Sequence, residues 1–258
     1  MPVSTPAKLL TLARDLQRRK ARERTGLFVA EGVRAVEELL QSPLAVHGAI
    51  VSPALADTPR GQALRQTLAE LGVALLEASE REFASGAQTD TPQGVLAIAE
   101  VPLRPLAAIR LPADARILVL DAIQDPGNVG AMLRTAAALG ASATIAMPGT
   151  VDLWNGKVVR SAMGALFHHL VASAEWSELD SLLASHRVPL WAADAAGDPL
   201  GSVTPPARLA LVVGNEGAGM TAAANARAAR RVSIPIAAEV ESLNAAVAAG
   251  ILLWALRP

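Results

Sequence analysis

The sequence predicts two α/β domains in series, the second built on a mainly parallel sheet. Three observations lead there. Short apolar runs alternate with stretches whose apolar residues recur every three or four positions, as strands alternating with amphipathic helices do. The runs over 116–120 (Arg-Ile-Leu-Val-Leu) and 209–213 (Leu-Ala-Leu-Val-Val) are apolar without alternation, which strands covered on both faces require. Between the halves stand Pro102, Pro105 and Pro112. Proline lacks a donor and resists helix continuation, which places a linker at 106–114 between a domain of residues 1–105 and one of residues 115–258.

The elements follow in order. In the first domain the pattern predicts a basic helix over 7–24, a strand over 27–30, and a helix over 32–41 with Val33, Val36, Leu39 and Leu40 on one face. Strands over 46–51 and 73–76 flank a helix over 61–71, and 93–99 reads as a closing strand. In the second domain, strand 116–120 leads through a polar turn to a helix over 129–139. Strand 143–147, helix 157–167, strand 170–172, helix 176–185 and strands 189–193 and 209–213 come next. A glycine-rich loop, a strand over 232–236 and a helix over 244–256 complete the chain.

Composition narrows the function classes. Of 258 residues, 52% are hydrophobic and 18% charged, enough apolar material for packed cores, so disorder as the main state is excluded. The absence of cysteine excludes disulfides, thiolate metal sites and cysteine nucleophiles, and fits a reducing cytoplasm. No metal site is expected. The opening Met1-Pro2-Val3-Ser4-Thr5-Pro6 lacks the apolar core of a signal peptide. The most apolar stretch, 245–256, is roughly half of the ~20 residues a membrane span needs, so a cytoplasmic protein without a membrane partner is expected. A net charge of −1 argues against nonspecific coating of nucleic acid. Yet residues 1–25 hold seven basic side chains against two acidic ones. Arg18, Arg19, Lys20, Arg22 and Arg24 therefore form a candidate phosphate-binding cluster, although a solvated helix face has the same composition.

Three polar constellations fall at predicted strand ends, where open α/β sheets bind ligands. The first runs from Asp125 to Arg134, with Asn128 expected to cap the following helix and Gly130 leaving room for close approach. The second is Gly214-Asn215-Glu216-Gly217-Ala218-Gly219. Its spacing is neither the dinucleotide-binding fingerprint nor a P-loop, but its backbone could cradle a small ligand. Glu216 would need a cationic partner if buried. The third is Ser233-Ile234-Pro235-Ile236 followed by Glu241-Ser242-Leu243-Asn244, where Ser242 or Asn244 could cap the last helix or bond a polar ligand group.

Taken in order, Asn128-x-Gly130-x-x-x-Arg134, Gly214-Asn215-Glu216-Gly217, and Ile234-Pro235 with Ser242-Leu243-Asn244 resemble the three signature motifs of the SpoU/TrmH family. These are RNA ribose 2′-O-methyltransferases of the SPOUT class. Val151-Asp152, Lys157-Val158-Val159-Arg160 and Ser161-Ala162-Met163-Gly164 resemble the family's middle segment. Phe28-Val29-Ala30-Glu31-Gly32 and Pro92-Gln93-Gly94-Val95 are similar to its accessory substrate-binding domain.

The resemblance implies a deep C-terminal trefoil knot that binds S-adenosylmethionine. Gly214, Ile234 and Leu243 would contact this cofactor, with Val213, Ile236 and Asn244 nearby. Arg134 would be the catalytic residue, and Asn128, Glu216, Ser242 and Asn244 would shape the site. It further implies a homodimer acting on structured RNA, most often 23S ribosomal RNA, with Lys157 and Arg160 joining the basic opening segment as RNA contacts. Transfer RNA is an alternative substrate, and a noncatalytic RNA-binding protein an alternative function. A nucleotide-dependent oxidoreductase is opposed by the glycine spacing. DNA is not an expected substrate, because it lacks the 2′-hydroxyl. A guanidinium is a poor base, so Arg134 is expected to orient ribose or phosphate, with Glu216 as its ionic partner.

Overall fold

The computed structural model describes residues 6–257. Residues 1–5, on which the expectation of no leader rests, and Pro258 lie outside the described residues. Two compact units form: Met1–Leu103 with Trp154–His168, and Arg104–Leu153 with His169–Pro258.

The first unit opens with α1 (Pro6–Asp15) and α2 (Arg19–Thr25) in place of one helix over 7–24. In the break, the buried Arg22 donates to the carbonyls of Leu16 (2.7 Å) and Gln17 (3.0 Å). Then come β1 (Leu27–Glu31), α3 (Val33–Leu40), β2 (Val46–Val51), α4 (Pro59–Glu70), β3 (Leu75–Glu77), α5 (Glu80–Ala84) and β4 (Val95–Glu100). The strands lie in the order β1-β4-β2-β3, with β4 antiparallel to both neighbours and β2 parallel to β3. Leu9, Leu16, Ile50, Phe83, Leu96 and Ile98 share one buried cluster. The unpredicted α5 starts with a reciprocal capping box between Ser79 and Glu82.

The second half begins with β5 (Arg116–Asp121), α6 (Pro126–Ala138) and β6 (Ala143–Ala146). The next two helices, α7 (Gly156–Ser161) and α8 (Ala165–His168), belong to the first unit. Trp154 and Phe167 lie 4.5 and 5.8 Å from the ring of Phe28. Arg160 Nη1 is 3.4 Å from the buried Glu31, which also accepts from the backbone N–H of Gln88 at 2.8 Å. The helix predicted over 157–167 is split because Met163 and Gly164 adopt φ of 52° and 89°. A single cut at 106–114 omits this excursion, which the aromatic stack on Phe28 holds in place.

The chain then forms β7 (Val171–Ser173), α9 (Trp176–His186), β8 (Leu190–Pro199), β9 (Leu209–Gly214), α10 (Ala222–Arg227), β10 (Arg230–Ser233) and α11 (Ala245–Ala255). The sheet runs β10-β8-β9-β5-β6-β7, and every pairing is parallel. Ile117, Val119, Ile145, Leu190 and Val212 are among its buried cluster. From β5 the chain proceeds to β6 on one side, while β9 lies on the other. Open parallel sheets bind ligands beyond the carboxyl ends of strands at such a reversal.

The opposite end of β5 is sealed. Buried Arg116 donates to the carbonyls of Leu256 (2.6 Å), Ala207 (2.6 Å) and Pro206 (3.2 Å). At the sheet's edge the register breaks: Arg231 pairs with Ala192, but Val232 pairs with Asp198. Residues 193–197 of β8 therefore bulge from the ladder. Gly197 permits this, since a Cβ there would lie 2.6 Å from the backbone of Arg231 and Val232.

Candidate active site

The polar turn after β5 supplies its own helix cap. Asp125 accepts the N–H of Asn128 at 2.7 Å, with Pro126 in the first turn of α6. The expectation that Asn128 caps this helix is thus corrected: the carboxylate three residues earlier does so, which releases the Asn128 side chain. Its Nδ2 donates to Glu216, and its Oδ1 accepts from Asn244 Nδ2 at 3.0 Å. Asn244 meanwhile caps α11, its Oδ1 accepting from Ala246 N–H (2.9 Å) and Val247 N–H (3.2 Å). One chain of side-chain amides and a carboxylate therefore joins all three constellations.

The loop after β9 is held from both ends. Asn215 and Gly219 exchange backbone hydrogen bonds of 3.0 and 2.8 Å, and Asn215 Oδ1 accepts from the N–H groups of Gly217 and Ala218. A Cβ on Gly214 would sit 2.7 Å from the Met220 nitrogen, so glycine is needed there. Asp121, fully buried at the end of β5, accepts from Thr221 N–H (2.7 Å) and Thr221 Oγ1 (3.1 Å) where the loop enters α10. Ala122 adopts φ 56°, a conformation disfavoured for a side chain, and its carbonyl accepts from Asn215 Nδ2 at 3.2 Å.

These loops border a cavity of about 470 Å³. Its walls come from the β8 bulge at Ala193 to Ala195, the loop around Gly214, the exit of β10, and the start of α11. Val213, Gly214, Ile234, Ile236 and Leu243 line it, as do Glu216 and Ser242. Asn244 and Asn128 stand outside the lining and act on it through Glu216. Arg134 projects from α6 into solvent and makes no hydrogen bond or ion pair with a described residue. The expected Arg134–Glu216 pair is not formed. Glu216 is exposed, so it needs no compensating cation, and the Asn128 amide occupies it.

In the first unit the predicted RNA contacts divide. Lys20, Arg24 and Lys157 are exposed, while Arg18 pairs with Asp15 and Arg19 with Glu23 at 2.7 Å. Arg18, Arg19, Lys20 and Arg24 line a shallow cleft of about 350 Å³. Arg22 is corrected to a structural role, because its guanidinium is buried against the carbonyls between α1 and α2. Arg160 is drawn to Glu31. His169 lies away from the constellations, hydrogen-bonded to Thr144 at 2.9 Å. Burial, then the nearby Arg104, pushes its pKa down to about 4.

Residues 115–254 match the family model described as the SpoU rRNA Methylase family. The chain belongs to that family. Residues 11–97 match the MRM3-like substrate binding domain. Among SpoU relatives, the 23S rRNA (guanosine(2553)-2′-O)-methyltransferase RlmP of Bacillus subtilis is 36% identical over 95% of this chain and 94% of its own length. The AdoMet complex of the SpoU methyltransferase AviRb from Streptomyces viridochromogenes superposes with a TM-score of 0.85 at 26% identity, covering 96% of both chains. An AdoMet-bound rRNA methyltransferase from Sinorhizobium meliloti gives 0.84 at 28% identity, covering 96% of this chain and 93% of that one.

Within this SpoU domain, sequence reasoning passed over the end of β8. Asp194 and Arg231 face the cavity and pair at 3.2 Å. An acidic residue directly after the apolar run 189–193 was the available signal. Asp121 and Thr221 were also missed, since neither stands in a distinctive motif.

Proposed function

We propose that this SpoU family chain transfers a methyl group from S-adenosylmethionine to a ribose 2′-hydroxyl of 23S ribosomal RNA. The hydrogen-bonded chain Asn244–Asn128–Glu216 supports the reading most directly, because it gathers three separated motifs at the rim of one cavity. The names of RlmP and of the AdoMet-bound neighbours agree with it.

The cavity suits the cofactor. Its volume falls within the roughly 300–1,000 Å³ of small-molecule sites. Glu216 and Glu241 in its lining suit a ligand with a sulfonium and an ammonium. S-adenosylmethionine supplies a methyl group on that sulfonium, ready for in-line displacement. The chain's own task is then to align the hydroxyl, and positioning of this kind accounts for much of a rate enhancement. Arg134 offers an unengaged guanidinium to the ribose or a neighbouring phosphate. It does not serve as the base, because guanidinium keeps its proton above pH 12. The hydroxyl proton passes to water or to a phosphate oxygen. Asn128 fixes Glu216, and Glu216 in turn shapes the cavity rim.

The same reading includes a homodimer, a knotted C-terminus and a cytoplasmic site of action. Val247, Ile251 and Trp254 are exposed along one side of α11, a stripe suited to a second copy of the chain. The knot is supported by α11 packing against α6 and β9 although β10, which precedes it, occupies the sheet's edge. No helix among the described residues is long and apolar enough to cross a membrane.

Transfer of radiolabelled methyl groups from S-adenosylmethionine to 23S, 16S and transfer RNA transcripts tests the proposal. Ribose methylation confined to 23S RNA is expected. Label in transfer RNA alone would replace the substrate, and no label from folded, cofactor-binding protein would overturn the activity.

A further inference from the structure

We infer that Arg231, held by Asp194, recognises the carboxylate at the amino-acid end of S-adenosylmethionine. This rests on the cofactor reading above. Among the described residues lining the cavity, Arg231 is the one cation, set against Asp194, Glu216 and Glu241. A lone positive charge among the cavity's three carboxylates marks where an anionic group of the ligand belongs, and the cofactor carries a single anionic group.

The local geometry presents the guanidinium for that role. The 193–197 bulge turns Asp194 into the cavity wall, and its Oδ1 is fixed by the Ala196 N–H at 2.9 Å. Its Oδ2 lies 3.2 Å from Arg231 Nη1. Both carboxylate oxygens are thereby engaged, which argues against Asp194 taking the ribose hydroxyls itself. Arg231 Nε and Nη2 make no hydrogen bond with a described residue, leaving an edge of the planar fork for a second carboxylate. Gly197 maintains the bulge, and Ser233 Oγ donates to its carbonyl at 2.9 Å.

The assignment is tested by calorimetric titration of the full-length protein with S-adenosylmethionine and with 5′-methylthioadenosine, which lacks the amino-acid arm. Arg231→Gln is expected to weaken S-adenosylmethionine binding roughly 10- to 100-fold, the range of a charged hydrogen bond, while leaving methylthioadenosine affinity unchanged. Arg231→Lys should recover part of the loss, and Asp194→Asn should show the same ligand selectivity with a smaller effect. Equal weakening toward both ligands, or undiminished S-adenosylmethionine binding, overturns the assignment alone. Wild-type protein that binds neither ligand overturns the cofactor reading with it.

Discussion

The two ends of β5, five residues apart, serve opposite purposes. At the start, Arg116 is buried and spends its donors on the carbonyls of Leu256, Ala207 and Pro206. At the end, buried Asp121 holds Thr221, the next residue carries an unfavourable φ, and the chain opens onto a cavity. The charged group at the first end is satisfied within the fold. Beyond the second, Arg134 makes no hydrogen bond or ion pair with a described residue. A parallel sheet aligns all its strand ends, so one edge can be closed for stability while the other remains available for chemistry.

Substitutions at the two edges should separate activity from stability. The largest effect is expected for Arg134→Ala. Methyl transfer should fall on the order of 100- to 1,000-fold, as for loss of one precisely aimed donor. Cofactor affinity and melting temperature should hold, because the side chain is exposed and bonds no described residue. Arg116→Met should give the opposite profile. Leaving its buried carbonyls without a donor costs about 3 kcal/mol, read as a lower urea midpoint, while the folded fraction retains its cofactor affinity.

His169 adds a pH-dependent contribution away from the cavity. Its pKa is about 4 in the fold against 6.5 unperturbed. Between those values the unfolded chain binds the proton first, so stability is full above about pH 6.5 and declines as pH falls toward 4. The loss amounts to at most about 3 kcal/mol, and urea titrations of wild type and His169→Gln at neutral and acid pH should isolate it. The smallest effect is expected for Lys20→Ala combined with Arg24→Ala. Each lost phosphate contact should lower the slope of log affinity against log salt by about 0.7 to 0.9, with turnover at saturating RNA preserved.

Much of the sheet was legible because buried parallel strands leave uninterrupted apolar runs, as at 116–120 and 209–213. Helix breaks were less so. The 157–167 pattern remains apolar across Met163, and nothing in that residue type signals the positive φ it adopts. The Asn128 cap was misread because two side chains suited to capping stood three residues apart, and only geometry chose Asp125. The motifs contain Gly214, Glu216, Ile234, Ile236, Ser242 and Leu243, which line the cavity, and also Arg134, which does not. Their order could not reveal that Glu216 bonds an amide instead of a guanidinium, or that Arg22 turns inward. The β8 bulge left the least trace, since it depends on Gly197 allowing two backbones to approach.

The placement of Trp154–His168 bears on how the protein can be made. Phe28 appears early during synthesis, yet its stacking partners Trp154 and Phe167 emerge only after more than half the chain has been translated. A nascent chain must therefore keep an unfinished aromatic surface soluble until those helices arrive. Severing the polypeptide near residue 103 would strand Phe28 on one fragment and both of its partners on the other, so independent expression of the halves is expected to yield aggregating material.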